Sequence, residues 1–364
     1  MPANYMRRRD LFLDAGFGDP EATIHSFAQE VAQFGLAPTR HESLESLRKA
    51  VRTRAARVPE GQLALALLVP EWLMERNGDL ASVLWLAQAE HQGRLDVNGF
   101  ILAIFQAFLD AERVQEALTF ARFMFNLDFH WGEVYGDPGI AYGFMRERDP
   151  NPLVWRVLDA LQGRSSLRVL ELGCGIGNDA VGFLQSSSVE SYVGLDMAEQ
   201  ALTQFRFRVE HKPTTVHPEL IGGDIISVLE DQCLKQHRPN LIYSYSSLHY
   251  FASSELQQIL GLVKRNLLRC LPDTGYFAFA IKGAGSLWEG QGLPLYRPDV
   301  WINYDGQSRW FPTPKALANL LDRAGFELRL HEMHDHWGYS EPGKRDVFHY
   351  VLCSPRAEYV GAAI

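Results

Sequence analysis

The segment Val169-Leu170-Glu171-Leu172-Gly173-Cys174-Gly175-Ile176-Gly177 constrains the fold more than any other part of the chain. The apolar run Leu167–Leu172 reads as a buried strand, and it leads directly into Gly-x-Gly-x-Gly and then a helix from about Asp179. Glycines there let the backbone turn sharply and let a ligand approach with no Cβ in the way. The dinucleotide fingerprint places its third glycine three residues after the second. Here it comes two residues after. Glu171 is expected to set a negative charge beside the loop, which suits an amino group better than a pyrophosphate.

Strand and helix patterns alternate onward from this point. Strands are expected at Tyr192–Leu195, Leu220–Ile221, Leu241–Ser244, Gly275–Ile281, Glu327–Glu332 and Val347–Ser354. Helices are expected at Ala198–Glu210, Glu255–Leu271 and Pro314–Ala324. The fold class is therefore α/β: a seven-stranded, mostly parallel sheet with helices on both faces. The last two strands are joined without a helix, so the final strand should pair antiparallel.

At 364 residues the chain exceeds one ordinary domain. Residues 1–127 read as an all-helical N-terminal domain, with apolar side chains at helical spacing in Leu63, Leu67, Leu68, Trp72 and again in Ile101, Ile104, Phe105, Phe108. A faint 34-residue echo aligns Leu80, Leu84 and Ala87 with Val114, Leu118 and Ala121, so a bundle and a short helix-hairpin array both fit. Residues 128–152 mix turn dipeptides with aromatics and read as a linker or lid. The α/β domain spans 153–356 and carries an aromatic insertion at 284–311, where Gly and Pro argue for a loop rather than a helix. Residues 357–364 form a tail.

A net charge of -9 argues against general affinity for nucleic acid. Cys174, Cys233, Cys270 and Cys353 form no C-x-x-C pair, so neither a zinc ribbon nor a disulfide framework is spelled out, and a reduced cytoplasmic setting is expected. No apolar stretch approaches the ~18–20 residues that span a bilayer.

Three carboxylates describe a ligand. Glu171 flanks the glycine turn. Asp196 ends the next strand, 21 residues after Gly175, where a carboxylate can accept from both ribose hydroxyls. Asp224, in Gly222-Gly223-Asp224-Ile225, ends the third strand and can receive an adenine amino group, although both aspartates also suit helix N-caps. Together they suit a nucleoside with a cationic amino-acid tail. Over roughly residues 150–354 the sequence resembles the class I S-adenosylmethionine-dependent methyltransferases. The resemblance rests on the glycine motif, Asp196, Asp224, the fourth strand with Ser246-Ser247-Leu248-His249-Tyr250, and Pro312-Thr313-Pro314 through Gly325-Phe326. It implies S-adenosylmethionine as cofactor, with S-adenosylhomocysteine as product and no metal. It also implies a pocket lined by Glu171, Gly173, Gly175, Gly177, Asp196, Met197, Asp224, Ile225 and Ser246. Tyr245-Ser246-Ser247 stands where nucleic-acid amino methyltransferases carry an Asp-Pro-Pro-Tyr-type motif, which lowers that reading.

His249 follows the fourth strand and is the candidate general base, with a packing or loop-positioning role as the alternative. Methyl transfer from a sulfonium can proceed by alignment in a dry pocket without a base. Tyr142, Tyr250, Trp288, Trp310, His334, His336, Trp337 and Tyr339 are the candidate acceptor wall. His331, His334 and His336 invite a metal, but no Cys or fixed carboxylate completes a set. The expected function is methyl transfer to a small-molecule acceptor in bacterial specialised metabolism, with no nucleic-acid or membrane partner. The N-terminal helices cap the acceptor pocket or form a homodimer. The alternatives are a protein or RNA methyltransferase that docks through those helices, and a cofactor-binding regulator without turnover.

Overall fold

Apolar runs closed by turn residues become strands wherever helices can cover them on both sides. The computed structural model describes residues 119, 131–136, 147–164, 166–212, 214–231, 234–251, 253–270, 275–294, 299–303, 307–337 and 343–356. The helical domain expected over 1–127, apart from a helical Thr119, and the tail at 357–364 lie outside them. The chain divides into two compact units: residues 131–289 with 310–364, and residues 1–130 with 290–309.

The first unit opens with two helices, α1 (Trp131–Gly136) and α2 (Pro152–Ala160). Alternation follows: β1 (Leu167–Leu172), α3 (Ala180–Leu184), β2 (Val189–Asp196), α4 (Glu199–Glu210), β3 (Glu219–Gly222), α5 (Ile225–Glu230), α6 (Leu234–His237) and β4 (Leu241–Tyr245). A 3-10 turn (Leu248–Tyr250), α7 (Ser253–Cys270) and β5 (Tyr276–Lys282) come next. After the insertion come α8 (Pro314–Arg323), β9 (Phe326–Trp337) and β10 (Arg345–Pro355). The seven strands run in the order β3-β2-β1-β4-β5-β10-β9. All pairs are parallel except those made by β10, which runs antiparallel to β5 and β9. The expected sheet and its reversed last strand are what forms.

One face of the sheet carries Val169, Tyr192, Tyr243, Ala278 and Tyr350 into a core shared with Leu153, Val154 and Val157 of α2 and Phe183 of α3. The start of α2 is fixed by Asp179. Its Oδ1 accepts from the backbone N of Asn151 at 2.8 Å and from Asn151 Nδ2 at 2.7 Å, and its Oδ2 accepts from Tyr243 Oη at 2.7 Å. Pro152 then occupies the first turn, where a missing N–H costs nothing.

Two expectations are corrected. β9 extends to Trp337 and β10 begins at Arg345, so His334, His336 and Trp337 lie on a strand, not on the loop between the last strands. The ladder continues past the apolar core through the pairs Asp335–Val347, His336–Asp346 and Trp337–Arg345. The insertion is also not all loop. It forms a small sheet of β6 (Leu293–Pro294), β7 (Val300–Ile302) and β8 (Ser308–Trp310) in that order. Asn303 holds it together: its Nδ2 donates to Gln291 O at 2.6 Å, and its Oδ1 accepts from Arg309 at 3.0 Å.

Candidate functional site

The glycine loop sits at the carboxyl end of β1. Gly173, Gly175 and Gly177 all have left-handed backbones, with φ of +74°, +53° and +77°. Space also demands glycine: a Cβ on Gly173 would lie 2.2 Å from Ser247 Oγ, and one on Gly177 2.6 Å from the Phe205 ring. The loop is pinned to β2. The backbone N–H groups of Gly173 and Cys174 both donate to Leu195 O, at 2.8 and 2.9 Å. Gly175 N donates to Asp196 Oδ2 at 2.7 Å. Cys174 is buried and its thiol is pushed well up by burial and then by the Asp196 charge, so it is a small packing residue and not a nucleophile.

The three carboxylates have separate environments. Asp196 ends β2, and its Oδ1 accepts from Ala198 N at 2.9 Å. Burial raises its pKa, while the backbone donors Ala198 and Gly175 pull it back. The Met197 backbone pulls in the same direction, and a carboxylate with about four acceptor sites keeps capacity beyond these donors. Asp224 Oδ1 accepts from Ile226 N at 3.0 Å and Ser227 N at 3.1 Å, so it caps α5, as the sequence allowed. Glu171 corrects the sequence reading. It is 2% exposed and accepts from Tyr192 Oη within the core. Burial, and then the Asp179 charge, raise its carboxyl well above the ordinary range, so it does not set a negative charge beside the loop. The strand period explains this, because Glu171 shares a face with Val169, Tyr192 and Tyr243, which all enter the core under α2 and α3.

Met197 follows Asp196 with its side chain 47% exposed, an apolar surface beside a carboxylate, whereas Ile225 is buried. Beyond β4, Ser246 has φ +57°, a strained backbone for a residue with a Cβ. Its N–H donates to Ala280 O at 3.0 Å, which holds the turn against β5. His249 in the following 3-10 turn is fully buried, with its ring 4.3 Å from that of Tyr250. A general base must reach the acceptor's proton. A ring sealed beneath the turn fits the positioning alternative instead.

The acceptor-wall residues separate into groups. His334 and His336 share the face of Tyr245, Phe348 and Tyr350. His334 stacks on Tyr350 at 4.2 Å, Tyr245 stacks on Phe348 at 5.4 Å, and His336 Nε2 meets the Tyr350 hydroxyl. Tyr245 Oη lies 3.3 Å from Tyr350 Oη. Burial, then the Arg148 and His334 charges, lower the His336 pKa to about 4, so the ring is neutral near pH 7. Trp337 points to the opposite side of β9 and is 69% exposed, and Trp310 is buried, so neither forms the expected wall. Trp288 is half-buried. Tyr142 and Tyr339 lie outside the described residues. His331 faces away from His334 and meets His349 at 3.0 Å. Among the described residues no group of three His, Cys, Asp or Glu side chains is placed to hold a metal.

Sequence reasoning missed the partners of these residues. Tyr245 and Tyr350 could have been found from strand register, which puts both opposite Ala280. The buried Lys282–Asp346 pair, 2.7 Å apart at the same edge of the sheet, left no local signal.

A glycine loop, a carboxylate at the end of the next strand and this strand order define a nucleoside-binding α/β enzyme with its ligand at the carboxyl edge of the sheet. Residues 145–331 match the family described as a methyltransferase domain, and the chain belongs to that family as a class I S-adenosylmethionine-dependent methyltransferase. No curated protein matches it. Three solved structures are similar. TehB from Haemophilus influenzae is 15% identical with a TM-score of 0.39, over 56% of this chain and 62% of that one. The 1,6-didemethyltoxoflavin-N1-methyltransferase of Burkholderia thailandensis is 19% identical with a TM-score of 0.42, over 58% and 80%. A methyltransferase from Methanosarcina mazei is 16% identical with a TM-score of 0.44, over 57% and 99%. The family match and the sheet topology carry the assignment, not these likenesses.

The residues present fit the family's cofactor. Three left-handed glycines make the sharp bend at the carboxyl end of β1, a carboxylate with spare acceptor capacity ends β2, and an exposed thioether follows it. When bound, S-adenosylmethionine supplies an activated methyl group on a positively charged sulfur.

Proposed function

We propose that the chain methylates a small-molecule acceptor in bacterial specialised metabolism, as a cytoplasmic enzyme. The observation that carries this reading is the carboxyl edge around β4, β10 and β9, where Tyr245, Phe348, Tyr350, His334 and His336 stack and hydrogen-bond as an aromatic cluster, with His334 and His336 half-buried at its rim. A rim of ring edges over a packed aromatic floor suits a planar or apolar acceptor with a hydrogen-bonding edge better than a polyanion. The net charge of -9 points the same way. Asp196 and the glycine loop orient the donor, Ser246 and the turn after β4 form the floor beside it, and the aromatic cluster holds the acceptor. On this reading most of the acceleration comes from alignment and exclusion of water, with His249 fixing the turn.

The test is turnover. Purified protein with isotopically labelled S-adenosylmethionine is offered a panel of phenols, heteroaromatic amines and thiols, alongside total RNA and a protein lysate. Label entering a small-molecule acceptor is the expected result. Label entering only RNA or protein would overturn the reading.

A further inference from the structure

The donor's amino-acid end needs polar partners, and the sequence had nominated Glu171 for its amino group. The folded chain gives Glu171 to Tyr192 in the core instead. What reaches the loop from outside is α1. The Tyr135 hydroxyl oxygen lies 2.9 Å from where a Cβ on Gly175 would be, directly over the middle glycine of the loop. The Tyr135 ring packs with Trp131 against Ile176 of the loop and against Ala198 and Ala201 beyond Asp196. Trp131 in turn meets Tyr250 of the turn after β4 edge-on, at 5.3 Å and 74°. α1 thus bridges the two walls of the crevice between the ends of β1 and β4.

The helix is held there by specific contacts. Gln204 of α4 donates to the Tyr135 carbonyl at 2.8 Å. Gly132 lets the Gln200 side chain pass close by, since a Cβ would lie 2.8 Å from its Oε1. Val134 is buried at 2% exposure, which fixes the helix face. These restraints aim the Tyr135 hydroxyl at the loop rather than leaving it to solvent.

We propose that α1 is part of the donor site and that the Tyr135 hydroxyl is a hydrogen-bonding partner for the donor's charged amino-acid end, with Trp131 and Tyr250 closing the crevice around it. This rests on the reading of the crevice as the S-adenosylmethionine site. A hydroxyl can accept from an ammonium or donate to a carboxylate, so it serves either charge of that end. Chemistry at the methyl group is separate from this contact, so binding alone reports it.

The test compares two thioethers, S-adenosylhomocysteine, which keeps the amino-acid end, and 5′-methylthioadenosine, which lacks it. Calorimetry is run on the full chain and on Tyr135→Phe, which retains the ring and its packing, with thermal unfolding as a check on the fold. Tyr135→Phe should weaken S-adenosylhomocysteine by about ten- to a hundred-fold, as expected for a lost hydrogen bond to a charged group, and leave 5′-methylthioadenosine within about two-fold. Equal losses for both ligands, or no loss for either, would overturn the inference while leaving the crevice assignment in place. If the unaltered chain binds neither thioether, the crevice assignment itself fails.

Discussion

The two halves of the sheet's carboxyl edge are built by different means. Around β1 and β2 the backbone sets the site: left-handed glycines, N–H groups donating to Leu195 and Asp196, and a carboxylate held by main-chain donors. Around β5, β10 and β9 side chains from distant parts of the chain set it: Lys282 on Asp346, Tyr245 beside Tyr350, and Tyr350 on His336. A backbone-built site suits a ligand shared by a whole family, because it depends on few side-chain identities. A side-chain-built site can change with the acceptor. The comparison predicts that single substitutions in the second half are costly when they strip a partner, while those in the first half are costly when they add bulk.

The largest effect is expected in the second half. Lys282 and Asp346 are 3% and 0% exposed, so Lys282→Ala should lower stability by about 3–5 kcal/mol in denaturant unfolding by removing the ammonium that faces a buried carboxylate. Lys282→Met combined with Asp346→Leu should recover most of that loss. An equally destabilised double variant would show that packing, not charge, governs the edge.

In the first half, Gly177→Ala should cost about 2–4 kcal/mol, because it adds a left-handed strain and a clash with the buried Phe205 ring. Gly163, with φ +87° and open space around it, isolates the strain, so Gly163→Ala should cost about 1–2 kcal/mol. Equal losses at the two positions would remove the packing half of the argument. Asp196→Ala should weaken S-adenosylhomocysteine binding by about 1.5–3 kcal/mol in calorimetry. Unchanged affinity would take Asp196 out of the donor site.

A pH series on Glu171→Gln isolates Glu171 from the other buried carboxylates. Burial, then the Asp179 charge, raise the folded Glu171 carboxyl well above 4.5. The folded chain then holds a proton that the unfolded chain releases, so stability is full below about 4.5 and falls as pH climbs toward the raised value. Asp179 and Asp196, also raised by burial, act in the same direction. Glu171→Gln should match the parent chain at acidic pH and exceed it in urea midpoint at pH 8. A variant weaker at both pH values would show that the Tyr192 contact needs the carboxyl group itself. The smallest effect is expected at Trp337, which is exposed on the far face of β9. Trp337→Ser should change stability by less than about 0.5 kcal/mol and leave turnover unchanged.

The same contrast decides what could be read from sequence. The glycine turn, Asp196 and the strand alternation were legible because backbone requirements and period-2 patterns are local. Glu171 was misplaced because a carboxylate flanking a glycine turn reads as facing the loop until Tyr192, 21 residues away, is known to meet it. Strand ends at 337 and 345 ran past the apolar stretches because hydrogen bonding between β9 and β10 continues where burial fades. His249 and Trp310 showed side-chain chemistry but not depth, and their burial depends on elements far along the chain.

A crystal structure of the full chain with S-adenosylhomocysteine tests the central claim most directly. The account predicts the sugar against Asp196, the base beside Met197 and the amino-acid end over Gly175. Density for the ligand anywhere else, or a carboxyl edge left empty at saturating concentration, would contradict it.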